Sequence, residues 1–314
     1  MKKLIGITMG DPSGIGQEII VKVLAKGCPN LRVYGTLDIL VRTAKQLGLN
    51  FDHSTIFNID NGYNGKDSLE LGKPTQTSGF LSYNYVKSAV SDCLNNRIQA
   101  IVTAPISKFA WKLASIEFPG HTELLAKLSN PILPPTVRML LKSDSLNIVL
   151  DSTHLSLKSA ISNLNSSNLL ETAIITNAWF QKNLNKKPKI VLAALNPHAG
   201  ENGAFGEEEK SILQPTVALA KTKDINISGP FSADTIFMNA MNNEIVVISL
   251  YHDQALIPFK LNGLDKGINI TMGLDFFRSS VDHGTAFDIA GKGLASEVPL
   301  LKAIKMTQRM IEKK

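Results

Sequence analysis

The sequence predicts an α/β protein built on a largely parallel sheet, and two observations carry that prediction. Short apolar runs rich in β-branched residues recur along the 314-residue chain, and helix-length segments separate them. The runs are apolar throughout rather than alternating, as strands buried on both faces require. Strands are expected at residues 4–9, 31–34, 100–103, 147–150, 190–194 and 245–250. Helices are expected at residues 15–25, 39–47, 82–95, 168–183, 207–220 and 299–312. Residues 162–168 read as a polar, helix-breaking loop. Pro131, Pro134 and Pro135 mark a plausible crossover a little before the midpoint.

Bulk composition excludes several classes. Hydrophobic residues are 44% and charged residues 19%, ordinary for a globular chain with ample material for a core. The longest apolar runs are strand-sized, so no membrane span is expected, and the N-terminus carries no signal-peptide pattern. Cys28 and Cys93 are too few for a disulfide framework or a cysteine-rich zinc site, and a cytoplasmic location is expected. The net charge of +6 comes from lysines spread along the chain without a basic block. It suits either anionic substrates or a merely lysine-rich surface. Sparse aromatics and the lack of a nucleic-acid motif argue against a nucleic-acid partner.

In a parallel sheet, ligands collect at the carboxyl ends of strands. The unusual polar residues of this chain fall there: Gly10-Asp11-Pro12 after the first run, Ala104-Pro105 after the third, Asp151-Ser152-Thr153-His154 after the fourth. Asn196-Pro197-His198 and Tyr251-His252-Asp253 follow the fifth and sixth. His154, His198 and His252 thus have a route to one sheet edge, where three imidazoles would leave an open position on a catalytic divalent ion. Their spacings of 44 and 54 residues match no local zinc motif, and each histidine alone reads equally as a hydrogen-bonded loop residue. The glycine spacing of Gly10-Asp11-Pro12-Ser13-Gly14-Ile15-Gly16 is wrong for a dinucleotide fingerprint, so a tight turn that lets backbone approach a ligand is expected instead.

His121-Thr122-Glu123 opens a helical pattern, where Thr122 suits either a bound phosphate or a plain helix start. Lys260, Asn269 and Arg278 stand in largely apolar sequence. Cations in such surroundings need a partner, either a bound phosphate or carboxylate or the nearby Asp265, Asp275 and Asp282. Asp234 reads as an acid/base group or as part of a helix start.

Taken in order, seven segments resemble one family. They are Gly10-Asp11-Pro12-Ser13-Gly14-Ile15-Gly16, Pro119-Gly120-His121-Thr122-Glu123, Thr153-His154-Leu155-Ser156-Leu157, Asn196-Pro197-His198-Ala199-Gly200-Glu201, Gly229-Pro230-Phe231-Ser232-Ala233-Asp234-Thr235, Tyr251-His252-Asp253-Gln254 and Ser280-Val281-Asp282-His283-Gly284-Thr285-Ala286. The family is the 4-hydroxythreonine-4-phosphate dehydrogenases of pyridoxal phosphate (vitamin B6) biosynthesis, and the resemblance spans residues 4 to about 295.

The resemblance implies two α/β/α domains with a mostly parallel sheet, of the isocitrate/isopropylmalate dehydrogenase kind, with the active site in an interdomain cleft. Residues 1–135 with 265–314 would form the cofactor-side domain, and residues 136–264 the metal-binding and dimerisation domain. It implies His154, His198 and His252 as ligands of one divalent ion (Zn²⁺ first, Mg²⁺ or Co²⁺ as alternatives) in a site completed across a homodimer interface. His121, Thr122, Lys260, Asn269 and Arg278 fall on substrate-binding positions, and Asp234 on an Asp near the reacting hydroxyl. Asp234 and Lys260 are the catalytic candidates.

The stretch His283 to Lys292 is similar to the adenosine-binding loop of isopropylmalate and isocitrate dehydrogenases, which makes His283, Gly284, Ala286, Asp288 and Ile289 the cofactor-binding candidates. A carboxylate at Asp288 favours NAD over NADP. The reaction implied is oxidation of 4-phosphooxy-L-threonine to 2-amino-3-oxo-4-phosphooxybutanoate, then decarboxylation to 3-amino-2-oxopropyl phosphate. A relative acting on a 4-phospho-threonate-type acid or a cis-dihydrodiol is the alternative. Gln17 departs from the family, which more often has proline there.

Overall fold

In the computed structural model of the chain, residues 3–61, 63, 69–263 and 267–312 are described. The chain divides into two compact units, Met1–Thr136 with Leu274–Lys314, and Val137–Gly273.

The first unit begins β1 (Ile5–Thr8), α1 (Gly16–Ala25), β2 (Leu31–Gly35), α2 (Leu37–Leu47) and β3 (Ile56–Asn58). It continues with α3 (Gln76–Leu94), β4 (Ala100–Thr103), α4 (Lys108–Leu113) and α5 (His121–Ser129). Within the second unit lie β5 (Arg138–Ser143), β6 (Asn147–Leu150), α6 (Leu157–Ser162), α7 (Ser166–Leu184), β7 (Lys189–Ala193), α8 (Gln214–Thr222), β8 (Ile227–Phe231), α9 (Ala233–Ala240), β9 (Ile245–Ser249), α10 (His252–Leu261) and β10 (Gly267–Met272). The chain then returns to the first unit for β11 (Phe277–Ser280) and α11 (Val298–Glu312).

Strands of the first unit run β3-β2-β1-β4-β11, every pair parallel. All four residues of β1 and of β4 are buried, so the sheet is covered on both faces, with α3 packed on β1, β2 and β4 and α11 on β11, β4 and β1. Buried aromatics keep their polar tips bonded. Tyr34 Oη donates to Asp92 Oδ2 at 2.7 Å, Trp111 Nε1 to Ser82 Oγ at 2.9 Å, and the Tyr85 hydroxyl lies 2.6 Å from Thr36 Oγ1.

In the second unit the order is β10-β5-β6-β9-β7-β8. The last four strands are parallel, and β5 pairs antiparallel with both β10 and β6. Its core joins Leu141, Ile148, Leu150, Val191, Val247 and Phe259.

The α/β class and the six expected strands are present, each within a residue or so of its expected limits. Sequence reading placed residues 265–273 with the cofactor-side domain. Residues 267–273 belong to the second unit instead, because β10 pairs with β5 from Gly267↔Ser143 to Met272↔Arg138. The expected boundary at 264/265, and Asp265, lie outside the described residues. Helix α3 starts six residues before its expected position, at a capping box in which Thr75 and Ser78 bond each other's backbone. No helix among the described residues is long and apolar enough to cross a membrane.

Packing between α3 and α4 is close enough to exclude a methyl group at Gly79, where a Cβ would lie 2.0 Å from Ala110 O. Gly79→Ala is therefore expected to destabilise the first unit by about 1–3 kcal/mol, the usual range for overpacking. Urea or thermal unfolding measures this, and an unchanged midpoint would refute the close contact.

Candidate functional site

Parallel pairing of β6 with β9 sets Leu150 beside Ser249, and the chain leaves both strands at the same edge. His154 follows four residues after Leu150, and His252 three after Ser249, as the first residue of α10. Their rings lie 6.0 Å apart between centroids. Both line one pocket of about 300 Å³ with Thr153, Leu155, Tyr251 and Asp253. Asp253 Oδ1 is 2.7 Å from His252 Nδ1. A carboxylate only accepts, so Nδ1 carries a proton, and in the neutral ring that tautomer leaves the Nε2 lone pair to a ligand.

Backbone and side-chain bonds lock these loops together. The Asp151 amide donates to Ser249 O at 2.8 Å, and Ser152 Oγ to Leu250 O at 2.8 Å. Gln254, buried, accepts from the Leu250 amide at 2.7 Å and donates to Ala194 O at 2.8 Å, which ties the end of β9 to the end of β7. Asp151 also accepts from Thr172 Oγ1 at 2.6 Å; burial raises its carboxyl above the ordinary range while that bond opposes the rise.

His198 stands apart from the pair. It follows β7, one strand beyond β9, and lies against Phe205 with ring centroids 6.2 Å apart. Among the described residues, no group of three His, Cys, Asp or Glu side chains is placed to hold a metal ion. Convergence of all three histidines within one chain is thus not what the fold produces. The turn Pro197–Gly203 has left-handed backbone at all five residues from His198 to Asn202, with φ between 39° and 79°. Glu209, 1% exposed, holds it: Oε1 accepts from the Leu195 and Asn196 amides at 2.9 and 2.7 Å, and Oε2 from Asn196 Nδ2 at 2.9 Å. Sequence reading missed Glu209, since an acid within Glu207-Glu208-Glu209 looks solvated.

In the first unit, Arg278 sits on β11, 3% exposed, and its Nη2 donates to Thr103 Oγ1 at 2.7 Å. Burial lowers the guanidinium to about 9, opposed by the Glu123 carboxylate. His121 and Thr122 open α5. Burial first, and the Arg278 charge second, hold the His121 imidazole well below its ordinary value, so it is neutral at pH 7. Part of the residue reaches the surface, but its Nε2 is buried with no hydrogen-bond partner among the described residues. A buried cation beside a neutral imidazole with an unused nitrogen is suited to an anion that accepts from both.

In the second unit, the Oδ1 of Asn269 on β10 is likewise buried without a partner among the described residues. Lys260 corrects the sequence reading: it lies in the last turn of α10 with its charge exposed, so the apolar residues around it in sequence do not surround it in space. Asp234 is the second residue of α9, exposed.

The candidate cofactor residues lie between β11 and α11. His283 Nδ1 is 3.0 Å from Gly284 O, and its Nε2 is buried and unpartnered among the described residues. A Cβ at Gly284 would meet nothing within 4 Å, Ala286 is left-handed at φ 44°, and Asp288 is exposed on the turn Phe287–Ile289. An open backbone, an orphaned ring nitrogen and a solvated carboxylate fit a dinucleotide. In the Gly10–Gly16 turn a Cβ at Gly10 would lie 2.2 Å from Pro105 O, so the close approach at that glycine is to the chain itself.

A family model described as pyridoxal phosphate biosynthetic protein PdxA matches residues 21–307. A 4-hydroxythreonine-4-phosphate dehydrogenase of Desulforapulum autotrophicum is 39% identical over 97% of this chain and 94% of its own. A D-threonate 4-phosphate dehydrogenase of Salmonella typhimurium is 40% identical over 98% and 99%. The crystal structure of a 4-hydroxythreonine-4-phosphate dehydrogenase from Klebsiella pneumoniae superposes with a TM-score of 0.87 at 35% identity, covering 98% of this chain and 99% of that one. Fold and matches together define an oxidoreductase of the α/β class, and a dehydrogenase family implies a nicotinamide cofactor. The chain belongs to the pyridoxal phosphate biosynthetic protein PdxA family.

Two outcomes test this geometry. Glu209→Leu strands buried amides and should cost about 2–4 kcal/mol, whereas Glu209→Gln keeps one acceptor and should recover most of it; equal urea midpoints for the two would refute the clamp. Asp11, fully buried, accepts from the Ser13 amide and Ser78 Oγ, yet burial still pushes its carboxyl up to about 6. Folding thus favours the protonated form: stability from this group is full below an unfolded value of 3.8 and is lost as pH rises through about 6. Between about pH 4 and pH 7, Asp11→Asn should gain about 3 kcal/mol on the wild type. A difference independent of pH would count against the buried carboxyl.

Proposed function

We propose that this protein oxidises 4-phosphooxy-L-threonine at its C3 hydroxyl, with NAD as the preferred hydride acceptor and NADP as the alternative, and that the resulting β-keto acid loses CO₂ to give 3-amino-2-oxopropyl phosphate. The observation that supports the reading is the buried Arg278 guanidinium, whose charge acts on the neutral His121 imidazole at the start of α5; with Thr122, the next residue of that helix, they would suit a phosphate. A bound dianion would offset the desolvation that lowers Arg278. Lys260, solvated at the end of α10, and Asn269, with its buried amide on β10, are the substrate-binding candidates of the second unit. Asp234, exposed on α9, is the candidate base for the hydroxyl proton, with a metal-linked water as the alternative. His283, Gly284, Ala286, Asp288 and Ile289 would seat the dinucleotide, with Asp288 accepting from a ribose diol and repelling a 2′-phosphate.

His154 and His252 fit half of a divalent-metal site, since their rings share a pocket and Asp253 fixes the His252 tautomer. The third ligand would be His198 from a second copy of the chain, which makes the active form a homodimer. When bound, such an ion would act as a Lewis acid that favours loss of the hydroxyl proton and polarises the ketone; Zn²⁺, Co²⁺ and Mg²⁺ are the candidates.

A second reading rests on the Salmonella typhimurium relative, whose name specifies D-threonate 4-phosphate at the same level of identity. That acid has a hydroxyl where the threonine derivative has an amine, and the phosphate end is common to both.

Metal-loaded protein, with NAD⁺ and each of the two phosphorylated substrates in turn, should form NADH with 4-phosphooxy-L-threonine. Turnover of D-threonate 4-phosphate alone would move the assignment to the second reading. Arg278→Met should lower kcat/KM about a hundredfold, mainly through KM. His154→Ala and His198→Ala should each abolish tight metal binding, and mixing the two should restore one intact site per heterodimer. A mixture that stays metal-free would refute the shared site.

A further inference from the structure

We infer that Glu18 and Lys22 of α1 are positioning residues that fix the shape of the 283–295 loop and thereby set the affinity for the dinucleotide. The inference rests on the reading of that loop as the cofactor's seat. It assigns a role to two charged residues that do not contact the ligand.

Three points hold the loop, one at the residue that precedes α1 and two within it. The Ile15 amide donates to Thr285 O at 3.0 Å. Glu18 Oε1 accepts from the Gly291 amide at 2.5 Å, and Lys22 Nζ donates to Gly293 O at 2.8 Å and Ala295 O at 2.5 Å. The acid thus takes an amide hydrogen and the base takes two carbonyls, a division that neither charge could exchange with the other. Glu18 is 1% exposed; its Oε1 carries the bond to the Gly291 amide, and its Oε2 is buried without a partner among the described residues.

The loop needs such restraint. It turns through left-handed backbone at Ala286, Gly291 and Gly293, with φ 44°, 77° and 72°, and it carries no regular ladder of its own beyond the turn Phe287–Ile289. It is wedged as well as tied. A Cβ at Gly14 would lie 2.8 Å from Thr285 O, one at Gly72 2.9 Å from Phe287 O, and one at Gly291 2.8 Å from Leu71 Cδ1. The bonds from Glu18 and Lys22 fall on backbone at 291, 293 and 295. They leave His283 Nε2 and the Asp288 carboxylate available.

The test compares Glu18→Leu, Glu18→Gln and Lys22→Met in the full chain, reading NADH and NADPH affinity by fluorescence titration, KM for each substrate, and amide hydrogen exchange. Glu18→Leu and Lys22→Met should each weaken NADH binding about tenfold, the loss expected for one charge-assisted bond. Faster exchange should be confined to the 286–295 segment, and KM for the phosphorylated substrate should stay put. Glu18→Gln keeps an acceptor for the Gly291 amide and should restore most of the affinity.

Wild-type affinity in both Glu18→Leu and Lys22→Met, or exchange that quickens throughout the first unit alike, would overturn the inference. If Glu18→Leu does not fold, Lys22→Met decides. Should the wild type itself bind neither NADH nor NADPH, the cofactor reading fails at its source, visible before any variant is made, and the affinity claim falls with it.

Discussion

Parallel pairing is the constraint on which the rest of this molecule depends. Strands that run the same way must all end at the same edge, so residues that follow them are brought together however far apart they lie in sequence. In the second unit this places the loops after β6 and β9 side by side and assembles a two-histidine pocket from positions 98 residues apart. In the first unit the pairing of β11 with β4, Arg278 opposite Ile101, buries a guanidinium within reach of Thr103. The chemistry is then set by surroundings: a carboxylate fixes one imidazole's tautomer, and desolvation keeps another neutral.

Much of this was legible in the sequence because the residues concerned obey the simplest rules. Runs such as Ile-Val-Val-Ile at 245–248 are apolar without alternation, and only a doubly covered strand needs that. The histidines and aspartates after them stood out by position. Strand β11 was hidden, since Phe277-Arg278-Ser279-Ser280 is polar in composition although all four residues are buried. Strand β8 contains Gly229-Pro230, which reads as a break. Helix α10 was obscured by Tyr251-His252-Asp253, which reads as a loop, whereas His252 is already helical.

The site residues divide in the same way. Arg278 was recognisable because a cation in apolar sequence calls for a partner, and the fold buries it; His121 was singled out only by the family resemblance. Lys260 obeyed the same rule and misled, because helix periodicity turns one residue of an apolar segment to solvent. Glu209 and Glu18 could not be found from sequence: their partners are backbone amides, which carry no residue identity. His198 was read correctly as a post-strand residue, but position after a strand does not say which neighbour the strand has.

The Gln254 amide has a consequence for how binding energy is used. By joining the end of β9 to that of β7, next to a loop already tied to β9 by Asp151 and Ser152, it makes the rim of the pocket a single cross-braced piece. The conformational entropy of that rim is surrendered when the chain folds and not when a ligand arrives. An occupant meets groups that are already ordered, and most of its contact energy is available as affinity.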